Sequence, residues 1–308
     1  MLDQKKLNRI LFMDIETTSQ KPNFCDLSDH QKEIFKKRFK KEFSSEVEKK
    51  SIELLSKKKE SDNVSEDTMK TTKKKPFKNI SKEKILKSIE EAVGTELYNI
   101  KAPIFPEFGR IICISVGAMW KNDADDFYNI KINTFANEDE KVLLEEFKNH
   151  PKLGLILNNI AGKYDKNQDN FWAMCAHNGR IFDFPYITKR MIINGLKPPS
   201  MFDYAHLKPW EQTHIIDTKE AWSFGIWDAV VSLESLSEIF GVTSSKSDID
   251  GSEVKDIFWV EKDLDRIAKY CEKDVIALAT NYLRMKSMSE EVVVFEQTHL
   301  PTQVDLSK

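Results

Sequence analysis

Apolar and polar positions in this chain follow two rhythms, and the switches between them mark its elements. The apolar run Ile10-Leu11-Phe12-Met13 predicts a buried strand reaching about Thr17. Residues 20–30 predict a loop. Over 28–43, Ile34, Phe35, Phe39 and Phe43 form a helical stripe behind a cap at Ser28 or Asp29. From Ser44 to Lys75 the apolar positions thin out, and the Lys/Glu/Ser-rich stretch has so little to bury that it is expected to be mobile or only marginally ordered. A second helix is expected over 81–93, ending at Gly94. Then "RIICISVGAMW" (110–120) suits a central strand, and "IKINTF" (130–135) alternates like a half-buried one. Residues 137–150 predict an amphipathic helix capped by Asn137. A buried strand (171–178), a helix (183–195), a short strand (214–218), a helix closed by Gly241 (232–242) and a long helix (263–285) complete the pattern. Strands interleaved with helices predict an α/β sheet covered by helices on its faces.

Composition changes this picture in one respect. Over 308 residues, 40% hydrophobic and 31% charged is enough for a real core in a soluble protein, and the net charge of −3 carries no global nucleic-acid signal. The distribution is uneven. Residues 31–90 hold 19 basic against 11 acidic side chains, a +8 block in an otherwise acidic body. That block is either a solvated insertion or an electrostatic arm for a polyanion. Its aromatics Phe35, Phe39, Phe43 and Phe77 are at helical spacing or isolated, which suits packing better than a row of stacked bases. Cys25, Cys113, Cys175 and Cys271 lie far apart without zinc spacing, so they are expected to be buried free thiols in a reducing compartment. The absence of a signal-peptide apolar region, and of any run near the ~20 residues needed to span a bilayer, predicts a cytoplasmic protein without a membrane partner. "SDIDGSE" fails as a calcium loop because Lys246 occupies the first ligand position.

Candidate chemistry begins where the first strand ends. Asp14 and Glu16 are two apart, hence on one face of an extended chain, at the end of a segment that looks buried. Proximity and burial both disfavour their ionisation. The pair is therefore either solvated at a strand end or held by something positive. Asp183, in "HNGRIFDF", follows another buried strand, where it is a further candidate or the cap of the next helix. Tyr270 and Asp274 are four apart on the last helix, flanking a stripe of Leu264, Ile267, Ala268, Cys271, Val275, Leu278 and Leu283. Each piece alone is common; their order is not.

"DIETT", "HNGRIFDF" and "YCEKD", in that order, resemble the tyrosine subgroup of the DEDD superfamily of 3′–5′ exonucleases. "KPWEQTHIIDT", "SLESLSEIFGV" and "SDIDGSEV" look like the stand-alone bacterial exonucleases related to the proofreading domain of family-B DNA polymerases. The resemblance covers residues 8–20 and about 105–285. It implies a ribonuclease H-like fold, a mixed sheet of about five strands flanked by helices. On this reading residues 1–290 form one exonuclease domain, interrupted by a Lys-rich insertion at about 22–100, with 291–308 as a tail. The resemblance also implies that Asp14, Glu16, Asp183 and Asp274 hold two divalent cations, Mg²⁺ or Mn²⁺, with Asp14 bridging them and Tyr270 orienting the attacking water. The implied activity is hydrolysis of single-stranded nucleic acid from its 3′ end to nucleoside 5′-monophosphates, with DNA favoured over RNA. The alternatives are an RNA-directed exoribonuclease with the same site and a catalytically silent nucleic-acid-binding module. Thr17 and Thr18 are candidates for contact with the last nucleotide. Asn178 is a strand contact or a turn residue, and Phe182 an end-base wedge or core packing. His177 reads as a strand-end residue and Asp217 as a helix N-cap.

Overall fold

A computed structural model describes residues 7–63, 82–121, 128–158, 172–226, 231–242, 249–286 and 292–299. It divides the chain into two compact units, residues 1–18 with 110–308, and residues 19–109.

The larger unit is built on a six-stranded mixed sheet of β1 (Ile10–Ser19), β2 (Gly109–Lys121), β3 (Tyr128–Ala136), β4 (Ala173–Ala176), β5 (Ile215–Asp217) and β6 (Val292–His299), in the order β5-β4-β1-β2-β3-β6. β4 is parallel to both β1 and β5, β2 and β3 are antiparallel, and β3 is parallel to β6. The five strands expected from the sequence are all present. The sixth, β6, comes from the segment read as a tail.

Alternation along β1 decides what faces what. Leu11, Met13 and Ile15 join the core on one face, with Phe147, Phe184, Ile187 and Met191. These come from α4 (Glu140–Asn149) and α6 (Asp183–Ile193); α5 (Pro151–Asn158) adds Leu153 and Leu157. Ile10 and Phe12 point the other way, into a cluster with Val275, Leu278, Tyr282 and Leu283 of α10 (Leu264–Met285). Phe12 and Tyr282 meet edge to face at 5.5 Å between centroids. The even-numbered Asp14 and Glu16 therefore look toward the α10 face of the sheet. The short α7 (Thr218–Ser223), α8 (Leu233–Phe240) and α9 (Val254–Asp256) complete this unit.

Two polar devices hold the layers. Glu140, buried at the start of α4, accepts from the backbone N–H of Ile111 (2.7 Å), from Arg190 Nε (2.8 Å) and from Asn194 (3.0 Å), so the buried ion pair leaves no charge uncompensated. The cap of α4 is Asp139, which accepts from Lys141 N and Val142 N; Asn137 instead accepts from Asp139 N. The helix starts two residues later than the pattern suggests because aspartate there reaches two orphan amides at once.

The smaller unit contains α1 (Asp29–Arg38), α2 (Lys40–Asn63) and α3 (Lys82–Lys101). Ser28 caps α1, accepting from Gln31 N, which returns its side chain to Ser28 N. Phe35, Phe39 and Phe43 form an aromatic core with Phe24, Val93, Leu97 and Tyr98, as their spacing predicts, whereas Ile34 is 44% exposed. Phe77 lies outside the described residues. Two expectations are corrected. The stretch from Ser44 is helical as far as Asn63, and Gly94 lies inside α3 instead of ending it. Gly94 is there for close approach: a Cβ at this position would sit 2.4 Å from Phe24 Cε1. Among the described residues no helix is long and apolar enough to cross a membrane.

Candidate active site

The acidic residues come together because β1, the start of α6 and the middle of α10 meet at one place. β1 delivers Asp14, half-buried, and Glu16, buried. β4 ends at Ala176, and the chain then turns tightly through Asn178 in the left-handed region (φ 68°) and through Gly179. A Cβ on Gly179 would meet that of Ala176 at 2.4 Å, so only glycine passes. This turn brings Asp183 back over β1 as the first residue of α6, with Phe182 in the N-cap position; Asp183 itself is not the cap. Its carboxylate accepts from its own amide and from the backbone N–H of Ile15. That bond places it beside both β1 acids. α10 supplies Asp274 and Tyr270, both buried.

Electrostatics show how close the groups are. The Asp14 carboxyl is pushed well above its usual range, by burial first, then by Asp274, Glu16 and Asp183. Glu16 is raised in the same way, by burial, Asp274, Cys113 and Asp183. Asp183 is raised to about 7, again chiefly by burial, with Asp217 and Asp274 adding to it. The Tyr270 phenol is pushed up by burial and the three neighbouring carboxylates, and its hydrogen bond to Asp274 adds to the rise. Four clustered acids, three of them buried and Asp14 half-buried, repel one another and are stable as anions only with a compensating cation.

The donor set fits one. Asp14, Glu16 and Cys271 each offer a ligand atom, all within 4.8 Å of one another. Carboxylate oxygens suit hard divalent ions. The Cys271 thiol, whose pKa burial raises, donates to Asp14 Oδ2 at 3.4 Å and partly offsets the crowding there. Cys271 and its neighbour Cys113 were read from the sequence only as buried thiols. Both are buried, but the cluster they adjoin could not be seen from spacing; Cys25, by contrast, is exposed.

The remaining candidates lie around this centre. Thr17 and Thr18 continue β1; Thr18 is fully buried and its hydroxyl has no hydrogen-bond partner among the described residues. Asn178 is a turn residue whose Oδ1 accepts from Lys219 Nζ at 3.1 Å. Phe182 is half-buried, its ring 5.3 Å from that of Tyr186. His177 engages Thr218 (3.0 Å) and Val231 O (2.9 Å) through its two ring nitrogens, a structural bridge. Asp217 caps α7 as expected, through Lys219 N and Glu220 N. It also accepts from Asn178 N and Arg180 N, which braces the turn before Asp183. That second task lies between segments about forty residues apart and leaves no mark in the local sequence.

A mixed sheet flanked by helices, with carboxylates gathered where β1, α6 and α10 meet, is the architecture of a ribonuclease H-like exonuclease. Residues 106–304 match the model of a family described as predicted 3′–5′ exonucleases related to the exonuclease domain of PolB, and the chain belongs to that family. No curated protein matches the chain. The matched span contains Asp183, Tyr270 and Asp274 but begins after β1. Asp14 and Glu16 enter the site through sheet pairing, with Ile10, Leu11 and Phe12 in register with Ala173, Met174 and Cys175 of β4.

Proposed function

We propose that this chain is a metal-dependent 3′–5′ exonuclease that shortens single-stranded nucleic acid, preferentially DNA, and releases nucleoside 5′-monophosphates. The observation that carries this reading is the convergence of Asp14, Glu16, Asp183 and Asp274, where burial first and the neighbouring carboxylates second raise the pKa values of the first three. Asp14, Glu16, Asp183 and Asp274 would hold two divalent cations, Mg²⁺ or Mn²⁺. Bound there, such ions supply Lewis-acid stabilisation of the charge that develops at phosphorus during in-line displacement.

The chain's own groups do the rest. Burial and the neighbouring carboxylates raise the pKa of the Tyr270 phenol above its ordinary value, so its role is to donate or accept a hydrogen bond that orients the attacking water, not to remove a proton. The brace from Asp217 to the turn at 178–180 fixes where Asp183 enters. Glu16, next along β1, meets the terminal 3′-hydroxyl, and Thr17, Asn178 and Phe182 border the space for the last nucleotide, whereas Thr18 is fully buried and does not reach it.

The test is a gel assay on 5′-labelled single-stranded DNA and RNA of one sequence, in Mn²⁺, Mg²⁺ or EDTA, with Asp14→Ala as control. The expected result is a metal-dependent ladder shortening from the 3′ end, faster on DNA and absent in the variant. A ladder that persists in Asp14→Ala overturns the site assignment. A faster RNA ladder reverses the sugar preference, and tight binding without shortening under any metal makes the chain a binding module.

A further inference from the structure

Next to the turn that delivers Asp183 stands a feature that the carboxylate site does not use. Trp210 is 72% exposed, on a single 3₁₀ turn (Pro209–Glu211), with the Lys208 ammonium 5.3 Å from its ring centroid. An indole left in water forgoes the transfer free energy of a large apolar surface, so a rigid, exposed one invites a partner. This loop is rigid. Lys208 N–H donates to Glu211 Oε2 (2.9 Å), Glu211 N–H to Lys208 O (2.8 Å), and the Gln212 amide to Leu207 O (3.1 Å).

Arg180 ties the loop to the site. Its Nη1 donates to Gln212 Oε1 (2.7 Å), its Nη2 to Ile215 O (3.3 Å) and its Nε to Glu220 Oε2 (2.9 Å), while its backbone N–H donates to Asp217. Arg180 is three residues before Asp183. The exposed indole is thus held in fixed relation to the segment that carries a candidate metal ligand, and little ordering entropy remains to be lost on binding.

We infer that Trp210 and Lys208 form a platform for the single strand outside the metal site, a nucleobase stacking on the indole and its phosphate meeting the ammonium. The inference rests on the exonuclease reading for its substrate class. The pair of chemistries selects this occupant. The ammonium lies over one face of the indole, so a base stacks on the other while a phosphate a few bonds away meets the cation, and stacking tolerates any base, as end-shortening requires. An apolar peptide would satisfy the ring and leave the ammonium unmatched.

The experiment measures binding of a phosphorothioate-linked, fluorescein-labelled dodecathymidylate, which resists shortening, and of the corresponding dinucleotide, by anisotropy in Mn²⁺ and in EDTA. Trp210→Ala is expected to weaken the dodecanucleotide about tenfold or more and to narrow its advantage over the dinucleotide. Trp210→Phe keeps a stacking face and recovers most of the affinity. Lys208→Ala lowers the slope of log affinity against log salt by about 0.7, one phosphate contact on a single strand. Trp210→Ala binding the longer strand as the parent does overturns the platform, as does a parent that binds neither strand. The two readings fail separately. A metal-dependent ladder with no effect of Trp210→Ala removes the platform alone, and a Trp210-dependent affinity without any ladder removes the exonuclease reading alone.

Discussion

At the scale of single residues, the site is governed by the cost of crowding buried carboxylates. Asp183 keeps its proton to about pH 7 in the folded chain, whereas an unfolded aspartate loses it near pH 4. Between those values the folded state binds more protons, so without metal this group's contribution to stability falls as pH rises from about 4 to about 7 and is flat above. Asp183→Asn removes that penalty. Melting curves in EDTA are expected to show the variant gaining on the parent across this window, to a Tm advantage of roughly 5 °C or more at pH 8. Adding Mn²⁺ should reverse the order, raising the parent and not the variant; parallel Tm–pH curves for the two proteins would contradict the assignment. Tyr270→Phe addresses a different step. It is expected to lower kcat by roughly ten- to a hundredfold, short of the ~10²–10⁴ that loss of a proton-transfer group costs. Mn²⁺ affinity should change little, and the parent's kcat should show no rise from phenol ionisation as pH increases. A variant with full kcat would remove Tyr270 from the reaction.

At the scale of elements, the fold was mostly legible, because periodicity reports what an element buries. α10 was bounded within a residue, and the five expected strands all exist. What escaped was decided elsewhere in the chain. α2 continues to Asn63 through a sequence with few apolar side chains, since Phe43 and the half-buried Val47 suffice to anchor its first turns in the aromatic core. β6 takes its place by pairing with β3, a partner about 160 residues earlier. The site divides the same way. Asp14, Glu16, Asp183, Tyr270 and Asp274 were legible as ordered motifs, while Cys271 and the brace from Asp217 became visible only through contacts across the fold. Gly94 shows how local reasoning misleads, since glycine in that sequence looks like a helix stop and is a packing contact. Gly94→Ala removes a helix-breaking residue worth up to ~1 kcal/mol. Its methyl group would nevertheless sit 2.4 and 2.6 Å from two carbons of the buried Phe24 ring. Overpacking of that kind costs ~1–3 kcal/mol and should win, so urea titration is expected to show a lower midpoint for the variant. A raised midpoint would mean that Phe24 has room to move.

For the whole molecule, the question is how a chain of net charge −3 attracts a polyanion. Its positive charge is concentrated in residues 31–90, most of which fall in α1, α2 and α3. Some of that charge is internally matched, as in Lys36–Glu90 at 2.8 Å and Lys37–Glu33 at 2.9 Å, but Lys40 and Lys41 are exposed on the first turn of α2. If the block steers the strand, association must weaken with salt, because each phosphate it neutralises releases a counterion. Replacing Lys37, Lys40, Lys41 and Lys49 by Gln removes four charges and keeps helix propensity. The KM for a single-stranded 30-mer is then expected to rise at low salt. The slope of log KM against log salt should shrink by about 0.7 for each of the four that contacts a phosphate. The effect should concentrate in KM, since the four lysines lie on α1 and α2, far along the chain from every carboxylate except those of β1. Lines of equal slope for parent and variant would show that the strand never meets this charge, and the basic block would then be a solvated insertion whose role is confined to its own aromatic core.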